Sequence, residues 1–90
     1  MKLDDALFNW LQMKIVYDHR PDDRAAKDTL DFFEMILRED HHLERFEIER
    51  SDDRYYYVAI DGKTGPDTKK FDREMADQLL IDINSNPKFN

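Results

Sequence analysis

Histidine is the side chain in this sequence with the widest chemical use, and there are three, at His19, His41 and His42. A zinc site needs histidines four residues apart on a helix, or ligands that converge from separate elements. His41 and His42 are neighbours, so at a helix end their side chains diverge by about 100°. His19 is expected at the opposite end of a helix pair, ~20 Å or more away. We therefore expect all three at helix C-termini, where a partly charged imidazole suits the helix dipole, and no metal or other cofactor.

Carboxylates form the second candidate set, with 21 Asp and Glu residues in the chain. Acid–base catalysis needs a carboxyl group in an apolar, desolvated setting, whereas most of these fall on the polar side of a predicted helix or strand, or in turns. Asp61 and Asp67 flank a glycine-containing loop but lack the ligand spacing of a calcium loop. Ser51 and Ser85 lie in turn-like contexts without a nucleophile elbow. The sequence predicts a domain that is not an enzyme.

The composition indicates one acidic folded domain over residues 1–90. Hydrophobic residues make up 40% and aromatic residues 12%, enough for a core although 39% of residues are charged. The net charge of -7 argues against general affinity for nucleic acid or for an anionic membrane. The sequence has no cysteine, its start resembles no signal peptide, and no apolar stretch approaches the ~20 residues of a membrane span. We expect the cytosol as its compartment.

Two amphipathic helices are expected first, because apolar residues recur with a period near 3.6. The first is predicted over residues 4–18 with Asp4 as its N-cap, and its apolar face leaves Met13 and Val16 outside and exposed. The second is predicted over residues 21–39, with Pro21 at its first position. A short link makes the two an antiparallel hairpin. Acid-before-base pairs are expected on the second helix, Asp23 with Lys27 and Glu34 with Arg38.

The apolar period changes to two after residue 42, which predicts strands at residues 44–50, 54–61 and 68–71. Asp72 then caps a third helix, and residues 85–90 are expected to be a frayed tail. No helical crossover separates the strands, so the sheet must be antiparallel. The predicted fold is α+β, an antiparallel helix hairpin followed by a three-stranded antiparallel β-meander and a C-terminal helix (ααβββα), with the helices packed on one sheet face. The inner stripe of the third helix is predicted to be Met75, Ala76, Leu79, Leu80 and Ile83.

Residues 54–61 are the most strand-like run, and their alternation decides which side chains are free. Tyr56, Val58 and Ile60 are expected to face the helices, with Phe46 and Ile48 of the preceding strand. The open face then carries the predicted partner-binding residues, which are Tyr55, Tyr57, Arg45, Glu47 and Lys70. Cross-strand packing of the two tyrosine rings under neighbouring Arg and Glu stems is the alternative interpretation. A slip of one residue would exchange the two faces.

Thr68-Lys69-Lys70 before the last helix resembles the Ser-Lys-Lys that opens the final helix of double-stranded-RNA-binding domains. The α-β-β-β-α order from Thr29 to Ile83 is also similar to that family's layout. The resemblance implies nucleic-acid binding through Lys69, Lys70 and Arg73. Asp72 departs from the small residue that the family prefers there, and Ser51-Asp52-Asp53 replaces its Gly-Pro-x-His loop. The acidic net charge also differs, so we interpret the likeness as convergence of architecture.

The leading functional hypothesis is therefore a non-enzymatic protein-interaction or regulatory module that uses its open sheet face. Its partner is expected to be another protein or a second copy of the chain. Nucleic-acid binding is one alternative. A second alternative is an acidic mimic, in which Asp22, Asp23 and Asp31 help the helix hairpin to imitate a polyanion and inhibit a nucleic-acid-binding protein.

Overall fold

The computed structural model describes residues 1–85 and has the predicted α+β fold. Its elements are α1 (Leu3–His19), α2 (Arg24–Glu39), β1 (Leu43–Ser51), β2 (Tyr55–Gly62), β3 (Asp67–Asp72) and α3 (Arg73–Ser85). Each strand begins and ends within one residue of its predicted bounds. Ser85 belongs to α3, and the rest of the expected tail, residues 86–90, lies outside the described residues. No helix within the described range is long and apolar enough to cross a membrane.

The sheet has the order β1-β2-β3, with both pairs antiparallel. Phe46 pairs with Ile60 and Ile48 with Val58. Burial confirms the predicted alternation on β2. Tyr56, Val58 and Ile60 are buried, whereas the tyrosines on either side of Tyr56 are only half-buried. The helices therefore cover one face of the sheet, and Tyr55 and Tyr57 lie on the other.

Helix α1 packs against both α2 and α3, and its aromatic side chains reach the sheet. The Trp10 ring meets Phe46 edge-on, with ring centroids 5.5 Å apart, and Phe8 lies 6.1 Å from Phe71. Trp10 is 1% exposed, and its indole Nε1 donates a hydrogen bond of 3.0 Å to Glu34 on α2. Aromatic contacts of this geometry add to the apolar area that they bury. Trp10 thus ties together α1, α2 and β1.

The inner faces of the helices differ from the prediction at three methionine or valine positions. Val16 is fully buried and Met13 is partly buried against the core, because α1 has a helix on each side and not on one side only. Met75 is 62% exposed, whereas Ala76 and Leu80 are buried. Residues 76 and 80 lie on one side of the helix, and residue 75 is turned from them by about 100° and 140°. The exposure predicted for Val16 and the burial predicted for Met75 were therefore wrong.

The helix starts also differ from the prediction. Helix α1 begins at Leu3, so Asp4 lies inside the first turn and does not cap it. Helix α2 begins at Arg24, and Asp23 is its N-cap, accepting a 3.0 Å hydrogen bond from the Ala26 amide. Pro21 lies in the link and not at the first helical position. The cap predicted at Asp4 and the first position predicted for Pro21 were therefore wrong, and it is Asp23 whose side-chain oxygen satisfies a free amide of the first turn.

Capping also rearranges the expected ion pairs of α2. Asp23 lies 3.3 Å from the Arg20 guanidinium, and Lys27 pairs with Asp31 at 2.6 Å instead. The predicted pair of Glu34 and Arg38 is present at 3.7 Å. At the start of α3, Asp72 accepts a 3.0 Å hydrogen bond from the Met75 amide, which confirms the predicted cap.

Candidate functional site

The candidate site is the outer face of the sheet, the face opposite the helices. Tyr55 and Tyr57 project from β2 onto this face, with ring centroids 6.2 Å apart and an interplanar angle of 66°. They are neighbours because side chains two residues apart on a strand point the same way. Both are half-buried. The sequence prediction that these two tyrosines share the outer face is confirmed.

A cation lies over each ring. The Arg50 guanidinium carbon is 3.7 Å from the centroid of Tyr57, and Lys70 Nζ is 4.3 Å from the centroid of Tyr55. Such contacts stabilise a ring by about 0.5–1 kcal/mol at exposed sites. Lys70 was among the predicted residues, and it pairs with Tyr57 across the β2–β3 ladder. The structure thus contains the cross-strand packing that was the alternative interpretation of the tyrosines.

Arg50 was not predicted, because strict alternation from Ile48 would have placed Glu49 opposite Tyr57. The β1–β2 register shifts between Ile48 and Arg50, so Glu49 has no partner on β2 and Arg50 pairs with Tyr57. A bulge of this kind aims an extra side chain at one face. It brings a cation, in place of a carboxylate, to the negative face of the aromatic ring. The sequence carries no signal for its position.

Asp52 anchors the tyrosine end of the outer face. Its Oδ1 accepts hydrogen bonds from the amides of Arg54 (2.9 Å) and Tyr55 (2.7 Å), and its Oδ2 accepts one from the Tyr57 hydroxyl (2.9 Å). The Arg54 amide, the Tyr55 amide and the Tyr57 hydroxyl together hold the pKa of Asp52 below its usual value. The hydrogen bond to Asp52 raises the pKa of the Tyr57 hydroxyl. The sequence prediction for Ser51-Asp52-Asp53 was a turn alone, although Asp in that place signals such backbone capping.

Arg45 and Glu47, the remaining predicted residues, lie further along the outer face. They pair with Asp61 and Ala59 of β2, and their side chains form an ion pair with each other. Both side chains are exposed. All five predicted residues therefore share one face, with an aromatic end and a charged end.

A shallow depression of about 430 Å³ opens at the aromatic end. It is lined by Asp52, Asp53, Arg54, Tyr55 and Tyr57. Tyr55 and Tyr57 therefore border a concave surface at the β1–β2 turn, and a side chain of a bound molecule could enter it. The shape is open, as is typical of protein contact surfaces and not of a small-molecule site, which encloses most of its ligand.

Two of the three histidines contact backbone carbonyl groups. Nδ1 of His19, the last residue of α1, lies 2.9 Å from the carbonyl oxygen of Ile15. Nε2 of His41 lies 2.9 Å from the carbonyl oxygen of Met1. Within residues 1–85, no three His, Asp or Glu side chains are grouped so that they could hold a metal ion.

The cations of the nucleic-acid hypothesis each contact a group of this chain. Lys69 Nζ lies 3.4 Å from Asp4, and Lys70 lies over Tyr55. The Arg73 guanidinium donates to the carbonyl oxygen of Asp52 at 2.8 Å. Lys69 and Lys70 point to opposite faces of β3, so the structure does not gather them into one patch.

Two of the three acidic residues of the mimic hypothesis have partners within this chain. Asp23 caps α2, Asp31 pairs with Lys27, and Asp22 lies exposed in the link between the helices.

We expect Asp52→Ala to lower the urea midpoint of unfolding at neutral pH, because it removes three hydrogen bonds that favour the ionised carboxylate. The folded pKa of Asp52 is depressed, so its stabilisation is present above the usual value of 3.8 and is lost as pH falls through the lowered pKa. The difference between the wild type and the variant should therefore shrink as the pH falls below about 4. Asp53→Ala is the matched control. An Asp53 variant as unstable as the Asp52 variant would contradict this role of Asp52.

Comparisons with known proteins gave no match. No protein-family model matches the sequence, and neither curated proteins nor solved structures yielded a similar chain. The likeness to double-stranded-RNA-binding domains rests on the order of the elements from α2 to α3 and on the Lys69-Lys70 motif.

Proposed function

We propose that this chain is a non-enzymatic protein-interaction or regulatory domain that binds another protein through the outer face of its sheet. The tyrosine pair is the observation that carries the proposal. Tyr55 and Tyr57 lie side by side on a sheet face that no helix of residues 1–85 covers. Tyrosine is enriched at protein interfaces, where its ring gives contact area and its hydroxyl keeps a polar partner.

Preorganisation of the rings supports the same proposal. Arg50 and Lys70 hold one side of each ring, and Asp52 holds the Tyr57 hydroxyl. A side chain that is already ordered loses less conformational entropy when a partner arrives, and ordering otherwise costs about 0.5–1.5 kcal/mol for each side chain. Cross-strand packing and partner binding are therefore compatible roles for these tyrosines.

The charges of the outer face suit a protein partner of mixed charge. Arg45, Arg50 and Lys70 alternate with Glu47, Asp61 and Asp72 across the three strands. Charges at the rim of an interface mainly steer and orient the partner, while the aromatic centre supplies affinity. We place the domain in the cytosol, which the cysteine-free sequence favours.

The test is affinity capture from the source cells followed by mass spectrometry, with the wild type beside a Tyr55→Ala, Tyr57→Ala double variant. We expect the variant to lose the captured protein, and purified components to show binding at least ~30-fold weaker, as for interface hot spots. Tyr17→Ala is the control, because Tyr17 is half-buried on the helical side. Unchanged affinity in the double variant, with an unchanged circular dichroism spectrum, would show that the outer face is not the contact surface.

Nucleic-acid binding and acidic mimicry remain as alternative proposals with less support. The three cations proposed to bind nucleic acid already contact groups of this chain. Two of the three carboxylates proposed for mimicry also have partners within the chain. Binding of duplex RNA that weakens steeply with salt would favour the first alternative. Capture of a basic protein that is lost when Asp22 is neutralised would favour the second.

A further inference from the structure

The outer edge of β1 is the longest free edge of the sheet. The strand has nine residues and lies at one end of the order β1-β2-β3, so no strand within residues 1–85 pairs with its outer side. An edge strand presents unpaired amide and carbonyl groups to any strand that matches it. The side chains of β1 decide which strand that is.

Residues 44–50 are complementary in charge to a second copy of themselves. They read Glu-Arg-Phe-Glu-Ile-Glu-Arg. Antiparallel pairing centred on Glu47 places Arg45 opposite Glu49 of the second copy and Phe46 opposite Ile48 of the second copy. Opposite charges and apolar pairs in these positions each stabilise a sheet by about 0.2–1 kcal/mol.

Registers shifted by two residues, which keep the same faces, are poorer. A shift in one direction places Glu47 opposite Glu49 twice. A shift in the other direction places Arg45 opposite Glu47 and Phe46 opposite Phe46, but it also places Ile48 opposite Glu44 twice. Like charges and mixed polar–apolar pairs directly opposite each other are unfavourable. Of these three registers, only the one centred on Glu47 gives both Phe46 and Ile48 an apolar partner, and its one like-charge contact is between the two copies of Glu47.

Helix α2 supplies a second, independent observation. Phe32 and Met35 are 52% and 47% exposed, large values for apolar side chains. Met35 is nine residues from the buried Ala26, half a turn away at about 100° per residue, so it points away from α1. Arg38 of α2 lies over the Phe46 ring of β1, which places α2 beside this edge.

We propose that two copies of this chain form a twofold dimer in which the β1 edges pair antiparallel about Glu47, giving one six-stranded sheet. The two α2 helices then face each other above the joined edges, and each covers Phe32 and Met35 of the other. Phe46 and Ile48 extend the inner apolar layer across the twofold axis. The inference is independent of the proposed function, although the dimer would present two tyrosine pairs on one continuous outer face.

Charge substitutions test the register by sedimentation equilibrium. We expect Arg45→Glu and Glu49→Arg each to weaken the dimer at least tenfold, because two copies of an attractive pair become repulsive. The double variant restores the pairing with reversed signs and should return within about threefold of the wild type. Glu47→Gln should tighten the dimer, since it removes the single like-charge contact. A wild type that stays monomeric at ~1 mM, or a double variant no better than the singles, would overturn the proposal.

A cysteine scan gives a second readout, because the chain has no cysteine of its own. Residues directly opposite in an antiparallel pair have Cα atoms about 4.5–5.5 Å apart, within the range of a disulfide. Glu47→Cys should form a disulfide-linked dimer under mild oxidation. Glu49→Cys is the control, because Glu49 faces Arg45 of the second copy and not itself. Equal cross-linking of the two variants would contradict the register.

Discussion

Replacing Trp10 by alanine is expected to lower the free energy of unfolding by about 3–5 kcal/mol, most of the stability of a domain this small. Trp10 is 1% exposed, lies edge-on to Phe46 and donates to Glu34. Its loss leaves a cavity at the point where α1, α2 and β1 meet. The Glu34 carboxylate also loses its donor. The cavity and the lost hydrogen bond both result from this one substitution. No other single truncation on α1 should therefore lower the free energy of unfolding more.

The measurement is urea unfolding followed by far-ultraviolet circular dichroism, because Trp10 is the single tryptophan and its fluorescence disappears with it. Met75→Ala is the matched control. The sequence pattern places Met75 in the core, but the structure leaves it 62% exposed, so its truncation should cost less than about 0.5 kcal/mol. A Met75 variant as unstable as the Trp10 variant would mean that α3 packs in the orientation that the sequence predicted.

The sequence predicts the buried face of the sheet better than the buried faces of the helices. Tyr56 is buried as predicted, whereas Met75 is not. Alternation in a sheet with one covered face gives two classes of residue, and Tyr56, Val58 and Ile60 fall in the predicted class. A helix between two other helices has no single inner stripe. The periodicity of α1 therefore placed Val16 outside, although α2 and α3 together bury it completely. The pattern of one helix does not show which other helices pack beside it, because that depends on the tertiary structure.

Alternation predicted which five residues share the outer face, but neither the parts that Arg50 and Asp52 take there nor the geometry. Alternation correctly placed Tyr55, Tyr57 and Lys70 on one face. It could not give Arg50 its place over Tyr57, because the bulge at Glu49 depends on how two strands meet and not on either strand alone. Asp52 was within reach of sequence reasoning, since an Asp in a tight turn commonly accepts hydrogen bonds from the amides that follow.

Gly62→Ala is expected to cost about 2–3 kcal/mol, because a side chain there has no room. A Cβ atom at Gly62 would lie 2.5 Å from the carbonyl oxygen of His42 and 3.0 Å from the Cα of Leu43. Both are backbone atoms, so no side-chain rotation relieves the clash. Gly62 pairs with Leu43 at the start of β1, next to His42, whose φ of 57° turns the chain out of α2. The substitution therefore strains the corner at which the helix hairpin passes into the sheet.

Substitutions at Gly65 show the effect of backbone conformation alone, without a steric clash. It has a φ of 89°, and a Cβ atom there would meet no neighbour within 4 Å, so alanine should cost only the ~1–2 kcal/mol of a left-handed backbone. Asparagine tolerates that conformation and should recover much of the loss at Gly65, but none at Gly62, where any Cβ meets the same backbone atoms. Urea midpoints of the four variants give the comparison. If asparagine restored the stability lost at Gly62, the backbone dihedral angles of residue 62 would explain the need for glycine. The close approach of His42 would then not be the cause, and the corner would be less tightly packed than in the structure.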